Sequence, residues 1–171
     1  MSVHYLLERR KGIQNRRAIV GPRDQYFWGF EDAYNKGAWI LHTLRNVLDD
    51  DAMFFGILSG FQREFASQIV CTEDLIEYIN GVTGEDFYAF FNQYIFDRRP
   101  PVLEYNITNN KLFYRYSGIV DGFVMPINVL VNKEEIRLKP TLATQELDIP
   151  DYATVQIMDW EYLILKKENE I

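Results

Sequence analysis

The sequence predicts an α+β fold, with an all-helical part over residues 1–99 followed by a small antiparallel β-sandwich over residues 100–171. Before Arg98-Arg99-Pro100-Pro101, apolar residues recur at three- and four-residue steps, as along one face of a helix. After it they alternate with polar residues in short runs divided by Asn, Asp, Gly and Pro, as in strands with one buried side. A chain of 171 residues with 47% apolar content is long enough to pack one domain or two small ones.

Val3, Leu6, Leu7 and Ile13 mark a short amphipathic helix at the start, read as the tail of a longer one. Basic residues then cluster at Arg9, Arg10, Lys11, Arg16, Arg17 and Arg23, and Gly21-Pro22 interrupts regular structure. A phosphate-binding patch is one reading of that cluster. A solvated or interdomain face is the other, favoured because the aromatic and glycine interleaving of nucleic-acid modules is missing. Tyr26, Phe27, Trp28 and Phe30 form an aromatic run that suits local core, the wall of a cleft or a face that contacts another domain.

The run Glu31 to Leu48 organises the chain. Gly37, Ile40, Leu41, Leu44, Val47 and Leu48 share one helical face, and Asp32 just before it is placed to accept a free N–H at the positive end of the helix dipole. Gly37 in the second turn suggests a close backbone approach. Asp49-Asp50-Asp51 reads as a turn that caps the next helix rather than as a metal site. That helix carries Phe54, Ile57, Leu58, Phe61 and Phe65, and Thr72 with Glu73 and Asp74 opens another with Leu75, Ile76 and Ile79 inward. Thr83 and Asp86 suit a capping box for a last helix bearing Phe87, Phe90, Phe91, Tyr94 and Ile95.

Beyond Pro101 the alternation predicts strands around Leu103–Ile107 and Leu112–Tyr116, joined by a tight turn at Asn109-Asn110. Further strands are expected over Met125 to Val131, Glu135 to Leu138, Gln145 to Ile149, Thr154 to Met158 and Tyr162 to Leu165, with a frayed charged tail from Lys166 to Glu170. The net charge of −7 argues against a general nucleic-acid binder, no run is apolar and long enough to span a bilayer, and Cys71 alone forms no internal disulfide.

Tyr34, Lys36 and Gly37 form a Tyr-x-Lys-Gly motif, followed by Ala-Trp-Ile-Leu-His-Thr-Leu-Arg. This closely resembles the segment after the zinc site in the gluzincin aminopeptidases, the family of alanyl aminopeptidase and leukotriene hydrolase. The likeness runs on through Phe54, Phe55, Phe61, Thr72-Glu73-Asp74, Gly84, Phe90-Phe91 and the Pro-Pro-Val-Leu run from Pro100, and so covers most of the chain. The family holds zinc with His-Glu-x-x-His and a later Glu, placed ahead of the matched segment. Neither is in this chain, whose only histidines are His4 and His42.

The resemblance therefore implies the carboxy-terminal fragment of a zinc metallo-aminopeptidase. Residues 1–99 would be the helical portion of its catalytic domain and residues 100–171 the β-sandwich that follows. Zinc would belong to the complete enzyme, with none bound by this chain, which alone would be inactive. Its partners would be a peptide substrate and the missing amino-terminal and zinc-binding segments of the same polypeptide.

Peptide hydrolysis passes through a tetrahedral intermediate whose oxyanion needs a preplaced hydrogen-bond donor. In the family the tyrosine of Tyr-x-Lys-Gly has that part, which makes Tyr34 the expected catalytic residue. Lys36 is read as a solvated or ion-paired side chain, Gly37 as a packing point and His42 as structural. Cys71 before a helix is a weaker candidate nucleophile, since no histidine lies near it in sequence. The alternative function is a non-catalytic binding or scaffolding module of the same fold.

Overall fold

A computed structural model describes residues 3–21 and 31–169. Helix α1 spans Val3–Lys11, α2 Glu31–Leu48, α3 Asp51–Glu64 and α4 Thr72–Thr83, and α5, Tyr88–Phe91, runs straight into a π-helical turn, Asn92–Phe96. Seven strands follow: β1 Val102–Thr108, β2 Lys111–Ser117, β3 Ile127–Val131, β4 Glu134–Leu138, β5 Gln145–Asp148, β6 Val155–Ile157 and β7 Leu165–Glu168. The chain is thus α+β, and the change from helix to strand falls at the double proline. The aromatic run at Tyr26, Phe27, Trp28 and Phe30, and Arg23, lie outside the described residues.

The starts of α3, α4 and α5 have local causes. The Asp50 carboxylate caps α3 by accepting the Met53 N–H at 2.8 Å, and Asp51 pairs with Arg45, both guanidinium contacts at 2.6 Å. Asp50 and Asp51 therefore serve the α2–α3 turn, while the Asp49 carboxylate lies 3.9 Å from Arg137 of β4. Asp74 accepts the Cys71 N–H at 2.7 Å and so ties down the start of α4. The expected pairing of Thr83 with Asp86 is not made. Thr83 instead ends α4, its hydroxyl donating to the Ile79 carbonyl at 2.8 Å, and Gly84 takes the left-handed conformation (φ 72°) that stops the helix. Asp86 acts alone, accepting from the Tyr88 N–H at 2.8 Å.

The strands form two sheets, one ordered β5-β2-β1-β7 and the other β4-β3-β6. Asn109 and Asn110 both have positive φ, which suits the two-residue turn between β1 and β2. The strand β3 begins after Pro126, which lacks an N–H for the ladder. The sandwich is not wholly antiparallel, because β7 pairs parallel to β1, from Val102↔Leu165 to Tyr105↔Glu168. The chain reaches β7 after passing through the other sheet, so it returns to β1 by a long crossover rather than a hairpin.

The charged tail corrects a second expectation. Lys166, Lys167 and Glu168 are strand, not frayed, since their backbones pair with β1 while their side chains stay in solvent. Charged side chains are what an open sheet edge favours, so a strand here looks like a tail in the sequence. Tyr162 to Ile164, read as strand, is instead a buried connection.

One buried apolar cluster runs through helices and sheets alike, from Trp39, Leu44 and Ile57 through Phe91 and Tyr94 to Leu103, Met125 and Tyr162. Polar side chains of the helices also grip the backbone of the segment leading into β7. Arg10 donates to the Asp159 and Ile164 carbonyls, and Thr43 accepts the Leu163 N–H at 2.8 Å. Tyr94 donates to the Leu163 carbonyl at 3.0 Å, and Asn46 to the Glu161 carbonyl at 2.9 Å. Among the described residues no helix is long and apolar enough to cross a membrane.

Candidate active site

The first two turns of α2 carry the residues of the Tyr-x-Lys-Gly motif, and burial divides them sharply. Tyr34 is 78% exposed, whereas Asp32 and Asn35 are each 6% exposed and Lys36 is sealed at 0%. Residues two apart on a helix do not share a face, so one turn can present a phenol outward and an ammonium inward.

Asp32 does not cap its own helix. Its two carboxylate oxygens accept the backbone N–H groups of Gln14 and Asn15, each at 2.8 Å, and so bind the loop after α1 to the start of α2. A carboxylate in the first turn still meets the positive end of the helix dipole. Asn35 accepts from the Arg9 guanidinium at 3.2 Å and packs on Gly12, where an added Cβ would come within 2.6 Å of its amide nitrogen. A side chain at position 12 would push the Asn35 amide aside.

Lys36, read as solvated or ion-paired, is instead sealed and bonded to backbone carbonyls. Its ammonium donates to the carbonyls of Asp97 and Arg98, at 3.2 and 3.3 Å, where the π-helical turn ends and the chain enters β1. Burial pushes its pKa below the usual lysine range, opposed by the negative charges of Asp32 and Asp97. Gly37 also departs from expectation, since among the described residues an added Cβ there meets nothing within 4 Å.

The Asp97 side chain is held by Arg99, whose Nη2 lies 2.6 Å from Oδ2 and whose backbone N–H donates to Oδ1 at 2.8 Å. The hydrogen bonds from Arg99 lower the Asp97 carboxyl from 3.8 to about 2. Because the folded carboxyl titrates below its unfolded value, its contribution is complete above about pH 4 and is lost as pH falls through about 2. Asp97→Asn should therefore lower stability at pH 7 by about 1 kcal/mol, discounted because the Arg99 partner is largely in solvent. Urea unfolding should show that gap closing as the pH is lowered toward about 2.

His42 keeps its structural role. It lies edge-on to Trp39, its Nε2 is 3.2 Å from the Trp160 carbonyl, and burial lowers its pKa. Cys71 is exposed. The backbone contact with Asp74 favours its thiolate, but hydrogen bonds with the Asp74 and Glu73 carboxylates outweigh this and raise its pKa, the wrong direction for a nucleophile. The basic residues at the end of α1 do not act as one patch: Lys11 pairs with Glu8, Arg9 with Asn35, and Arg10 lies over Trp39 as it grips the β7 connection.

Among the described residues no group of three or more His, Cys, Asp or Glu side chains comes together to hold a metal, so the zinc that the resemblance implies does not fit these residues. Asp32, Asn35 and Lys36 were not legible as anchors, because a polar residue between apolar positions reads as solvated until its partners, remote in sequence, are known.

The arrangement is that of a helical layer and sandwich presenting one exposed phenol from a tightly held turn, and proteins with aminopeptidase activity in their names are what the chain is similar to. The chain is 24% identical over 152 residues to aminopeptidase N of Lactococcus lactis subsp. lactis, covering 83% of this chain and 17% of that protein. Its fold matches a crystal structure of Legionella pneumophila aminopeptidase A in complex with aspartic acid, with a TM-score of 0.66 and 16% identity, covering 99% of this chain and 22% of that one. The chain thus spans about a fifth of the length of these relatives. No family model matches it.

Proposed function

We propose that this chain is the carboxy-terminal part of a zinc-dependent aminopeptidase of the gluzincin type, which removes amino-terminal residues from peptides. In that reading Tyr34 supplies the hydrogen bond that stabilises the tetrahedral intermediate. The observation that carries it is the exposure of the phenol on a turn held by buried polar anchors. A donor that must meet a short-lived oxyanion has to be accessible and already in place, because reorganisation during the reaction would raise the barrier.

The similarity to aminopeptidase N supports the reaction class. Zinc would be held by other parts of the complete polypeptide, and this chain contributes the phenol and the sandwich behind it. A zinc peptidase uses its metal to polarise the scissile carbonyl and activate water, a role this reading assigns to the rest of the complete polypeptide.

The purified 171-residue chain is therefore expected to release no amino acids from peptide substrates with or without added zinc, while the complete polypeptide does so. Zinc-dependent release by the isolated chain would contradict the proposal. A complete polypeptide that binds peptides without cleaving them would favour the scaffolding module instead.

A further inference from the structure

We infer that Lys36 is a positioning residue for Tyr34, its buried ammonium setting where the first turn of α2 presents the phenol. The inference rests on the peptidase reading above and extends it to a residue whose side chain faces away from the exposed surface.

Three polar side chains fix the start of α2, but they do not pull in the same direction. Asp32 bonds the loop after α1 and Asn35 bonds α1 itself. Both therefore tie the turn to the same neighbour. Among the described residues Lys36 is the one of the three that reaches the other side, to the carbonyls of Asp97 and Arg98 between the π-helical turn and β1. These polar side chains thus brace the start of α2 from two sides, the second through Lys36.

A fully buried ammonium is an expensive way to fill space. Replacing buried charges by apolar groups of similar volume is often neutral or stabilising, so stability alone gives little reason for a lysine at this position. What an ammonium supplies, and a methionine does not, is directed hydrogen bonding to carbonyls at a fixed place. Functional groups need such support to within a fraction of an ångström. Lys36 and Tyr34 are separated by a single residue on a helix and point to different sides, so any influence passes through the backbone of the turn rather than through contact with substrate.

The test is a double-mutant cycle in the complete enzyme, with kcat and KM measured on a peptide substrate for wild type, Lys36→Met, Tyr34→Phe and the double variant. Lys36→Met is expected to lower kcat by about 10²-fold, the cost of a misplacement of about 1 Å, with KM within about twofold. In the Tyr34→Phe background the same change should cost nothing further, because the group being positioned is gone. Lys11→Met, which removes an exposed lysine of α1, should leave kcat unchanged.

Unchanged kcat in Lys36→Met overturns the inference. So does a Lys36→Met loss that multiplies in full with the Tyr34→Phe loss, since that marks damage unrelated to the phenol. If Tyr34→Phe itself keeps full turnover, the peptidase role of Tyr34 fails and the inference falls with it, a result distinct from the other two. Should Lys36→Met not fold, Lys36→Gln takes its place in the cycle under the same criteria, its amide still able to donate to one of the two carbonyls.

Discussion

Tyr34→Phe in the complete enzyme is expected to lower kcat by about 10²–10³-fold, equivalent to about 2.7–4 kcal/mol of transition-state stabilisation, which is the usual worth of one oxyanion donor. KM and zinc content should stay near wild type, because the hydroxyl is required only once negative charge has formed on the substrate oxygen. Folding should be almost unaffected. The side chain is 78% exposed, and substitutions at such positions usually change stability by no more than about 0.5 kcal/mol. A large loss of turnover at an unchanged melting temperature is thus the signature of the proposed role. Equal losses of turnover and stability would instead mark a packed tyrosine.

The largest effect on folding is expected from Trp39→Ala, at about 3–5 kcal/mol. Trp39 is fully buried in the middle of α2, its indole N–H donates to the Leu6 carbonyl at 2.7 Å, and the Arg10 guanidinium lies 5.0 Å above its ring. Alanine would leave a cavity, remove the indole bond that ties α2 to α1 and take away the surface that supports Arg10, which itself grips the segment before β7. One side chain thus joins α1, α2 and the sandwich. Against the total of about 5–15 kcal/mol available to an ordinary domain, such a loss should lower the urea midpoint strongly. A midpoint within error of wild type would show that α1 and the β7 connection are held by other contacts.

Most of the fold was legible because burial in this chain follows simple periods. Phe54, Ile57, Ile76, Ile79, Phe90 and Phe91 recur as helix faces, while Leu112, Tyr114 and Tyr116 alternate as a strand, and all are buried. Strand direction was less legible, since β7 pairs with β1 across a long crossover that no turn motif announces. Thr83 and Asp86 had the spacing of a capping box, but Gly84 stops the preceding helix between them. Thr83 thus serves the helix before it, while Asp86 alone meets the start of the next.

The candidate site was legible only where a motif carried it. Tyr34 stood out through its resemblance to Tyr-x-Lys-Gly, and its side chain is exposed near the start of α2. The anchors beside it were hidden because their partners lie far along the chain, Asp32 with Gln14 and Asn15, and Lys36 with Asp97 and Arg98. A charged residue near a helix start is solvated more often than buried, so composition pointed the wrong way for Lys36. The polar residues Asn35, Thr43 and Gln93 were missed for the same reason. Gln93 is fully buried, donating to the Arg99 carbonyl at 2.7 Å and accepting from the Val120 N–H at 2.7 Å, so it locks the π-helical turn to the chain on both sides of β1 and β2.

The most direct test is a crystal structure of the complete polypeptide bound to a phosphinic peptide, whose tetrahedral phosphorus mimics the intermediate. The account predicts the Tyr34 hydroxyl about 2.5–3.0 Å from a phosphinate oxygen, donating to it. A phenol turned away from the inhibitor, or covered by other polypeptide with no path to it, would contradict the account.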